Sequence, residues 1–215
     1  MSSELLSRQE AFDYWDCRHK QQDELRSGGH IGIDQGGNEI FYAVRLGKLL
    51  ELIGDRNSPP APLFVLDAGC GKGYFSRALG RCGHAIDGID ASPAAIEQCR
   101  SAGGAARFAV STLAAWSSAW LYDVVFSVDV MFHILDDEEW AASVCNLASL
   151  VRFGGKLIIA DENNEHRRQL GNYIVHRASA EYIDLVGDVG FRLERWIPYA
   201  FRDNRIGYLS FIRNR

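Results

Sequence analysis

A chain of 215 residues with 47% hydrophobic and 24% charged residues and only 5 prolines has the composition of ordinary globular protein, which excludes disordered, collagen-like and low-complexity architectures. Its 23 basic and 28 acidic residues leave a net charge of -5 with no basic tail or stripe, so nucleic-acid binding through phosphate neutralisation is disfavoured. The 5 cysteines are odd in number and contain no C-x-x-C pair, which suggests neither a zinc site nor a disulfide framework and fits a reducing compartment.

In chain order the lead-in comes first. Leu46, Leu49, Leu50 and Ile53 recur at helical spacing and Gly54 supplies a stop, which predicts an amphipathic helix over about 38–54. Residues 56–62, rich in proline, read as a connector. Residues 63–66 form a short apolar strand that runs into Asp67 and a glycine cluster, and 74–82 can be helical. The pattern repeats: 84–90 reads as a strand, Ser92 as an N-cap, Pro93 as the first helical position, and 94–101 as its helix. A third strand is expected over 107–110.

Residues 123–130 are almost continuously apolar, the pattern of a strand buried on both faces. Residues 136–151 follow as a helix with Trp140, Val144, Leu147 and Val151 on one side, closed by Gly154 and Gly155, and 156–161 supply a fifth strand. The tail adds a helix over 179–189 and two strands, 192–199 and 207–213, joined by a turn at Asp203-Asn204 and expected as an antiparallel edge pair. Strands alternating with helices imply an α/β fold: a doubly wound, Rossmann-like, mostly parallel seven-stranded sheet with an antiparallel C-terminal strand pair and an N-terminal helical lid. Residues 1–215 are expected as one domain, with 1–55 as lead-in, 63–161 as core and 162–215 as tail.

In open sheets of this kind ligands settle at the carboxyl ends of the strands. There the run Val65-Leu66-Asp67-Ala68-Gly69-Cys70-Gly71-Lys72-Gly73-Tyr74-Phe75 places three glycines at alternate positions, where the backbone can turn tightly and approach a ligand closely. A dinucleotide fingerprint would need its third glycine at Tyr74, and a P-loop would need Ser or Thr at Gly73, so both phosphate-binding patterns are broken. Asp90 closes the second strand, where a carboxylate can accept hydrogen bonds from both hydroxyls of a ribose. Asp67 would repel a pyrophosphate but suits a cationic amino-acid moiety. A nucleoside with a cationic tail describes S-adenosylmethionine.

Residues 65–75, Asp90, 123–129 and 150–161 resemble the class I S-adenosylmethionine-dependent methyltransferases, in order over about residues 63–161. The resemblance implies Gly69 and Gly71, with Cys70 between them, along the methionine part of the cofactor, and Asp67 on the same side. It implies Asp90 on the ribose with Ala91 beside it, and Ser111, Thr112 and Leu113 around the adenine. Many members carry an acid after the third strand, where hydroxyls stand here. Ser127, at the end of the fourth strand, joins the cofactor set.

His133 follows the fourth strand where the family often places substrate-facing groups, and an imidazole can take a proton from a hydroxyl or acid during methyl transfer. Its alternative reading is a structural histidine beside Phe132. Asp129 can orient substrate or cofactor, or serve only as the polar end of a buried strand. In the lead-in, Tyr14, Trp15, Arg18, His30, Tyr42 and Arg45 form an aromatic and basic set from which a lid can be built. Arg45 can pair with the methionine carboxylate, and Tyr14, Trp15, His30, His176 and Arg177 are substrate-side candidates. The pairs Gly28-Gly29 and Gly36-Gly37 bracket a segment expected to hinge.

The expected activity is methyl transfer to an oxygen or nitrogen of a small molecule such as a natural-product intermediate or a sugar. The rival readings are methylation of a macromolecule, a non-catalytic binding module, and a nicotinamide-dependent oxidoreductase. No metal site, nucleic-acid partner or membrane association is expected, and monomer and homodimer both stay open. The N-terminus lacks the apolar stretch of a leader, so a cytoplasmic protein is expected.

Overall fold

A computed structural model describes residues 4–54 and 61–215, so most of the expected 56–62 connector lies outside the described residues. Three helices precede the sheet: α1 (Arg8–Gln21), α2 (Glu24–Gly28) and α3 (Gln35–Ile53). The alternating part then runs β1 (Phe64–Ala68), α4 (Tyr74–Arg81), β2 (Ala85–Asp90), α5 (Pro93–Ser101), β3 (Arg107–Val110) and β4 (Tyr122–Ser127). A single 3-10 turn over Met131–His133 leads into α6 (Asp137–Ser149), β5 (Val151–Glu162), β6 (Arg168–Leu170) and β7 (Ile174–His176). The chain closes with α7 (Ser179–Gly187), β8 (Phe191–Pro198) and β9 (Ile206–Arg213).

Seven strands form one sheet in the order β3-β2-β1-β4-β5-β9-β8, the doubly wound, mostly parallel architecture expected from the sequence. The pairs β1/β2, β1/β4, β2/β3 and β4/β5 are parallel, and β9 is antiparallel to both of its neighbours. The C-terminal pair is therefore not wholly at the edge: β9 lies inside the sheet and only β8 borders it.

Alternate residues of the central strands feed opposite layers, which is why these strands read as unbroken apolar runs. Leu66, Val125, Leu157 and Phe211 pack with Trp140, Leu147 and Tyr182 of α6 and α7. Val65, Val124, Phe126 and Ile158 pack with Phe41, Leu49 and Leu52 of α3 and with Phe75 and Leu79 of α4. Both faces are covered, so the strand ends are where side chains can converge on a ligand.

Local signals set the helix boundaries. Ser7 caps α1, its Oγ accepting from the Glu10 amide at 3.3 Å while the Glu10 carboxylate accepts from the Ser7 amide at 2.8 Å. Gly54 takes the left-handed conformation after α3. Ser92 and Pro93 open α5 as expected, and Asp136 caps α6 with three acids in the first turn.

Three features differ from the sequence reading. β5 starts at Val151, directly after α6, and bulges over 152–155: Tyr122 pairs with Val151 and Val124 already with Lys156. Gly155 is needed there because a Cβ would stand 2.7 Å from the Asp123 carbonyl oxygen. The hairpin of β6 and β7 joins strands of three residues, too short to show periodicity. In each glycine pair of the lead-in, expected from the sequence to flank a hinge, one member is closely packed. A Cβ on Gly29 would stand 2.3 Å from Asn38 Oδ1 and one on Gly37 2.2 Å from Ile33 Cγ2, while Asn38 Nδ2 donates to the carbonyls of His30, Ile33 and Asp34. No helix among the described residues is long and apolar enough to cross a membrane.

Candidate functional site

The carboxyl ends of β1, β2 and β4 meet α1 and α3 around a cavity of about 720 Å³. On its floor the glycine loop is pinned to the second strand: the Gly69 and Cys70 amides both donate to the Ile89 carbonyl at 2.8 Å, and the Gly71 amide donates to Asp90 Oδ2 at 2.9 Å. Asp90 Oδ1 accepts from the Ser92 amide at 2.9 Å. One carboxylate thus joins the loop after β1 to the start of α5, and each of its oxygens keeps lone-pair capacity towards the cavity. Gly69, Cys70, Gly71, Asp90, Ala91, Thr112 and Leu113 all border that space.

Three members of the expected cofactor set stand behind the wall. Ser111 hydrogen-bonds the Thr112 carbonyl at 2.9 Å, and Ser127 is fully buried with its Oγ unpartnered. Asp67 is 1% exposed and accepts from Ser76 Oγ at 2.6 Å. Burial pushes its carboxyl up to about 7, opposed by the Ser76 hydrogen bond.

At the end of β4, Asp129 takes a left-handed conformation with φ 56°, uncommon for a residue with a side chain. Its carboxylate is shared between the Arg45 guanidinium and the Tyr199 hydroxyl, the latter at 3.0 Å. Arg45 is 1% exposed and lies 4.1 Å from the Phe41 ring and 4.0 Å from the Tyr42 ring, a stacked cation in a low-dielectric wall. Burial opposes its charge, yet Asp129 and the surrounding phenols hold its pKa above the usual guanidinium value. Its Nε and Nη2 have no hydrogen-bond partner, and the side chain borders the cavity.

His133 also borders the cavity, its Nδ1 2.9 Å from the Tyr173 carbonyl oxygen. A carbonyl only accepts, so Nδ1 carries the proton and Nε2 is left as an acceptor. The ring stacks on Tyr173 at 5.9 Å with 6° between planes and meets Trp15 at 4.5 Å. Burial lowers its pKa to about 3, so near neutrality it is an uncharged, weak base.

Between pH 7 and 5 Asp67 and His133 oppose each other. Asp67, with a folded pKa above its unfolded value, binds a proton in the folded state as pH falls, and this raises stability. His133, with a folded pKa below its unfolded value, contributes stability above about pH 6.5 that is lost as pH falls towards 3. Burial also lowers the pKa of His19, which acts in the same direction. Asp67→Asn is therefore expected to lose about 2 kcal/mol of stability from pH 7 to pH 5 in urea unfolding, while the parent chain changes far less. Parallel curves for the two proteins would show that Asp67 is not raised.

The lead-in roofs the cavity. Trp15, Phe12 and Ala11 of α1 face into it, and Tyr14 packs on Tyr173 at 5.6 Å instead of facing it. Three further substrate-side candidates also do not border the cavity. His30 is exposed, its Nδ1 accepting from the Gly32 amide at 3.1 Å, and it does not border the cavity. His176 is buried against Asp161, with Nδ1 to Oδ1 at 2.6 Å. Arg177 is fully buried, its Nη2 donating to the Leu135 carbonyl at 3.2 Å and Asp137 Oδ1 at 2.9 Å. Both tail residues fasten the region after β5 beside the cavity and do not line it. Sequence reasoning passed over His19, Lys72 and Asp16, which hold α1 to the cofactor side. Their one legible signal was the Ser7–Glu10 capping box, which announces the helix that carries His19 and Asp16.

Residues 65–155 match the protein family described as a methyltransferase domain. That segment is a methyltransferase domain. It is 33% identical over 130 residues to a ubiquinone biosynthesis O-methyltransferase of Methylocella silvestris, an alignment of 58% of this chain and 48% of that protein. It is 30% identical over 158 residues to the enzyme of the same name from Caulobacter vibrioides, covering 70% of this chain and 55% of that one. The chain therefore spans about half the length of these relatives. Among solved structures, this methyltransferase-domain chain shares its fold with magnesium protoporphyrin IX methyltransferase from Synechocystis, solved with bound SAM, at a TM-score of 0.73 and 22% identity over 100% of both chains. The N-methyltransferase NodS from Bradyrhizobium japonicum gives a TM-score of 0.65 at 17% identity over 82% of this chain and 98% of that one.

Proposed function

We propose that this methyltransferase-domain chain binds S-adenosylmethionine along the loop after β1 and transfers its methyl group to an oxygen or nitrogen of a small molecule. The observation that carries the reading is Asp90, which ends β2, receives the Gly71 amide and opens onto the cavity with lone pairs to spare. The residues present fit the cofactor. Asp90 offers acceptors to ribose hydroxyls, Gly69 and Gly71 leave a bare backbone beside the methionine part, and the unpartnered Nη2 of Arg45 offers a donor to a carboxylate. Thr112 and Leu113 border the cavity, and this reading assigns them to the adenine.

Bound there, the cofactor supplies an electrophilic sulfonium methyl. The work left to the chain is positioning, worth about 7–11 kcal/mol of barrier when reacting atoms are held in line. His133 Nε2 accepts a hydrogen bond from the acceptor and aims its lone pair. At a pKa of about 3 it orients a hydroxyl and does not deprotonate it, unlike the general base expected from the sequence. Asp129, committed to Arg45 and Tyr199, shapes the wall. Trp15 and Phe12 exclude water from above, with residues 4–54 acting as a cover for the 63–161 core in one working unit. A small acceptor is supported by a cavity of about 720 Å³ and by relatives whose names record ubiquinone biosynthesis, with natural-product intermediates and sugars as the compounds to try first.

Calorimetric titration tests this with S-adenosylhomocysteine and, separately, NADH. The parent chain is expected to bind the sulfide selectively, and Asp90→Ala to weaken it by roughly 10- to 100-fold through loss of charge-assisted hydrogen bonds. No binding of the sulfide by folded protein, or a preference for NADH, sinks the reading. Methyl transfer from S-adenosylmethionine to a panel of phenols, carboxylic acids, sugars and amines then identifies the acceptor class, and binding without turnover on any acceptor would favour a non-catalytic module.

A further inference from the structure

His19 stands near the end of α1, and three hydrogen bonds fix that part of the helix over the cofactor side of the cavity. Ser92 Oγ donates to Asp16 Oδ1 at 2.6 Å, Gln98 Nε2 donates to the His19 carbonyl at 3.2 Å, and Lys72 Nζ donates to the Gln22 carbonyl at 2.6 Å. Asp16 is a firm anchor: hydrogen bonds from Lys20 and Ser92 hold its carboxyl down to about 2. The imidazole is thereby set into the cavity wall beside Gly71, 4% exposed, with Cε1 3.5 Å from the point a Cβ on that glycine would occupy.

Its Nδ1 is buried and has no hydrogen-bond partner, a condition that native structures rarely leave in place. The charged groups that act on it are Asp90 and Asp16, which favour its protonated form, and Lys72 and Arg18, which oppose it. Burial is the strongest influence and keeps the ring neutral, against the pull of Asp90. A neutral imidazole beside Asp90 is the right group to complete the hydrogen bonding of a hydroxyl that Asp90 already holds.

We propose that His19 hydrogen-bonds the ribose of the adenosyl cofactor, sharing its hydroxyls with Asp90, so that α1 supplies a cofactor contact as well as a roof. This rests on the reading of the cavity as an S-adenosylmethionine site. A half-turn about the Cβ–Cγ bond brings Nε2 to the place of Cε1, facing Gly71, with no change in the backbone. The ring nitrogen is therefore presented at Gly71 without α1 moving.

Parent chain, His19→Ala and His19→Gln are titrated with S-adenosylhomocysteine and with its 2′,3′-dideoxyribose analogue, and the fold of each variant is checked by circular dichroism. His19→Ala is expected to weaken S-adenosylhomocysteine roughly tenfold and the dideoxy analogue less than about twofold, with His19→Gln recovering part of the loss through its amide. Equal weakening of both ligands would show that His19 only supports α1, and no change in either would show that it stands idle; both overturn the proposal. Should the folded parent chain fail to bind S-adenosylhomocysteine, the methyltransferase reading itself falls. A parent chain that binds while His19→Ala matches it defeats the His19 contact alone.

Discussion

Arg45→Met is expected to destabilise the fold by about 3–5 kcal/mol, because it strands the Asp129 carboxylate in a wall that offers it only the Tyr199 hydroxyl. Burying a charge pair is expensive, but removing one member is worse than removing both. The double variant Arg45→Met/Asp129→Asn should therefore be more stable than Arg45→Met alone by about 2 kcal/mol or more. Asn suits the second site, since it tolerates the left-handed conformation of Asp129 and keeps an oxygen for Tyr199. Urea unfolding of the four proteins closes the cycle. A loss below about 1 kcal/mol for Arg45→Met would mean that water reaches Asp129 and that the pair is not sealed.

Gly69→Ala carries the second large effect. At φ 83° a side chain is strained by about 1–2 kcal/mol, and the new Cβ would stand 2.3 Å from Val130 Cγ2, an overlap that adds about 1–3 kcal/mol unless the loop moves. Moving the loop pulls Gly71 off Asp90, so affinity for S-adenosylhomocysteine should fall about a hundredfold or more along with stability. Val130→Ala in the same chain relieves the overlap and leaves the backbone strain, and should restore roughly half of the stability. Gly80→Ala is the control. It lies inside α4 with open space around the added carbon and is expected to stabilise by about 0.5–1 kcal/mol. A Gly69→Ala chain as stable as its parent would show that Val130 yields freely and that the loop tolerates a side chain.

What could be read from the amino-acid order follows the reach of each physical signal. β1 and β4 announce themselves because strands covered on both faces run as nearly continuous apolar stretches, and α5 because Ser92-Pro93 is a complete start signal. α1 hid because it buries mainly His19 and its apolar face, Ala11, Phe12 and Trp15, is short and set among charged residues. The glycine loop and Asp90 were legible because their chemistry depends on residue type at short spacing. The pairing of Arg45 with Asp129 spans 84 residues, and no local pattern encodes a contact at that range. His30, His176 and Arg177 were chosen by type and by nearness to the right segments, but the direction of a side chain is settled by its packing neighbours. For His176 and Arg177 those neighbours are Asp161 and Asp137. His133 borders the cavity, and only its surroundings, burial and a carbonyl bonded to Nδ1, account for its lowered pKa.

The position of β9 governs the order in which the chain can assemble. β5 pairs with β9 over 156–162 against 206–212, so during folding β5 is an open edge until residues some forty positions later arrive. Closing so long a loop is slow compared with joining neighbouring strands, because its ordering cost comes before any pairing is gained. In that interval Leu157, Ile158, Ile159 and Ala160, all fully buried in the finished sheet, face water along an unpaired strand, the kind of segment that templates association with another chain. β8 hangs on β9 alone, so two strands arrive or are lost together. A nascent chain arrested before residue 206 should therefore sit in a chaperone or an aggregate. Substitutions that weaken β9 should lower soluble yield well before they touch the glycine loop.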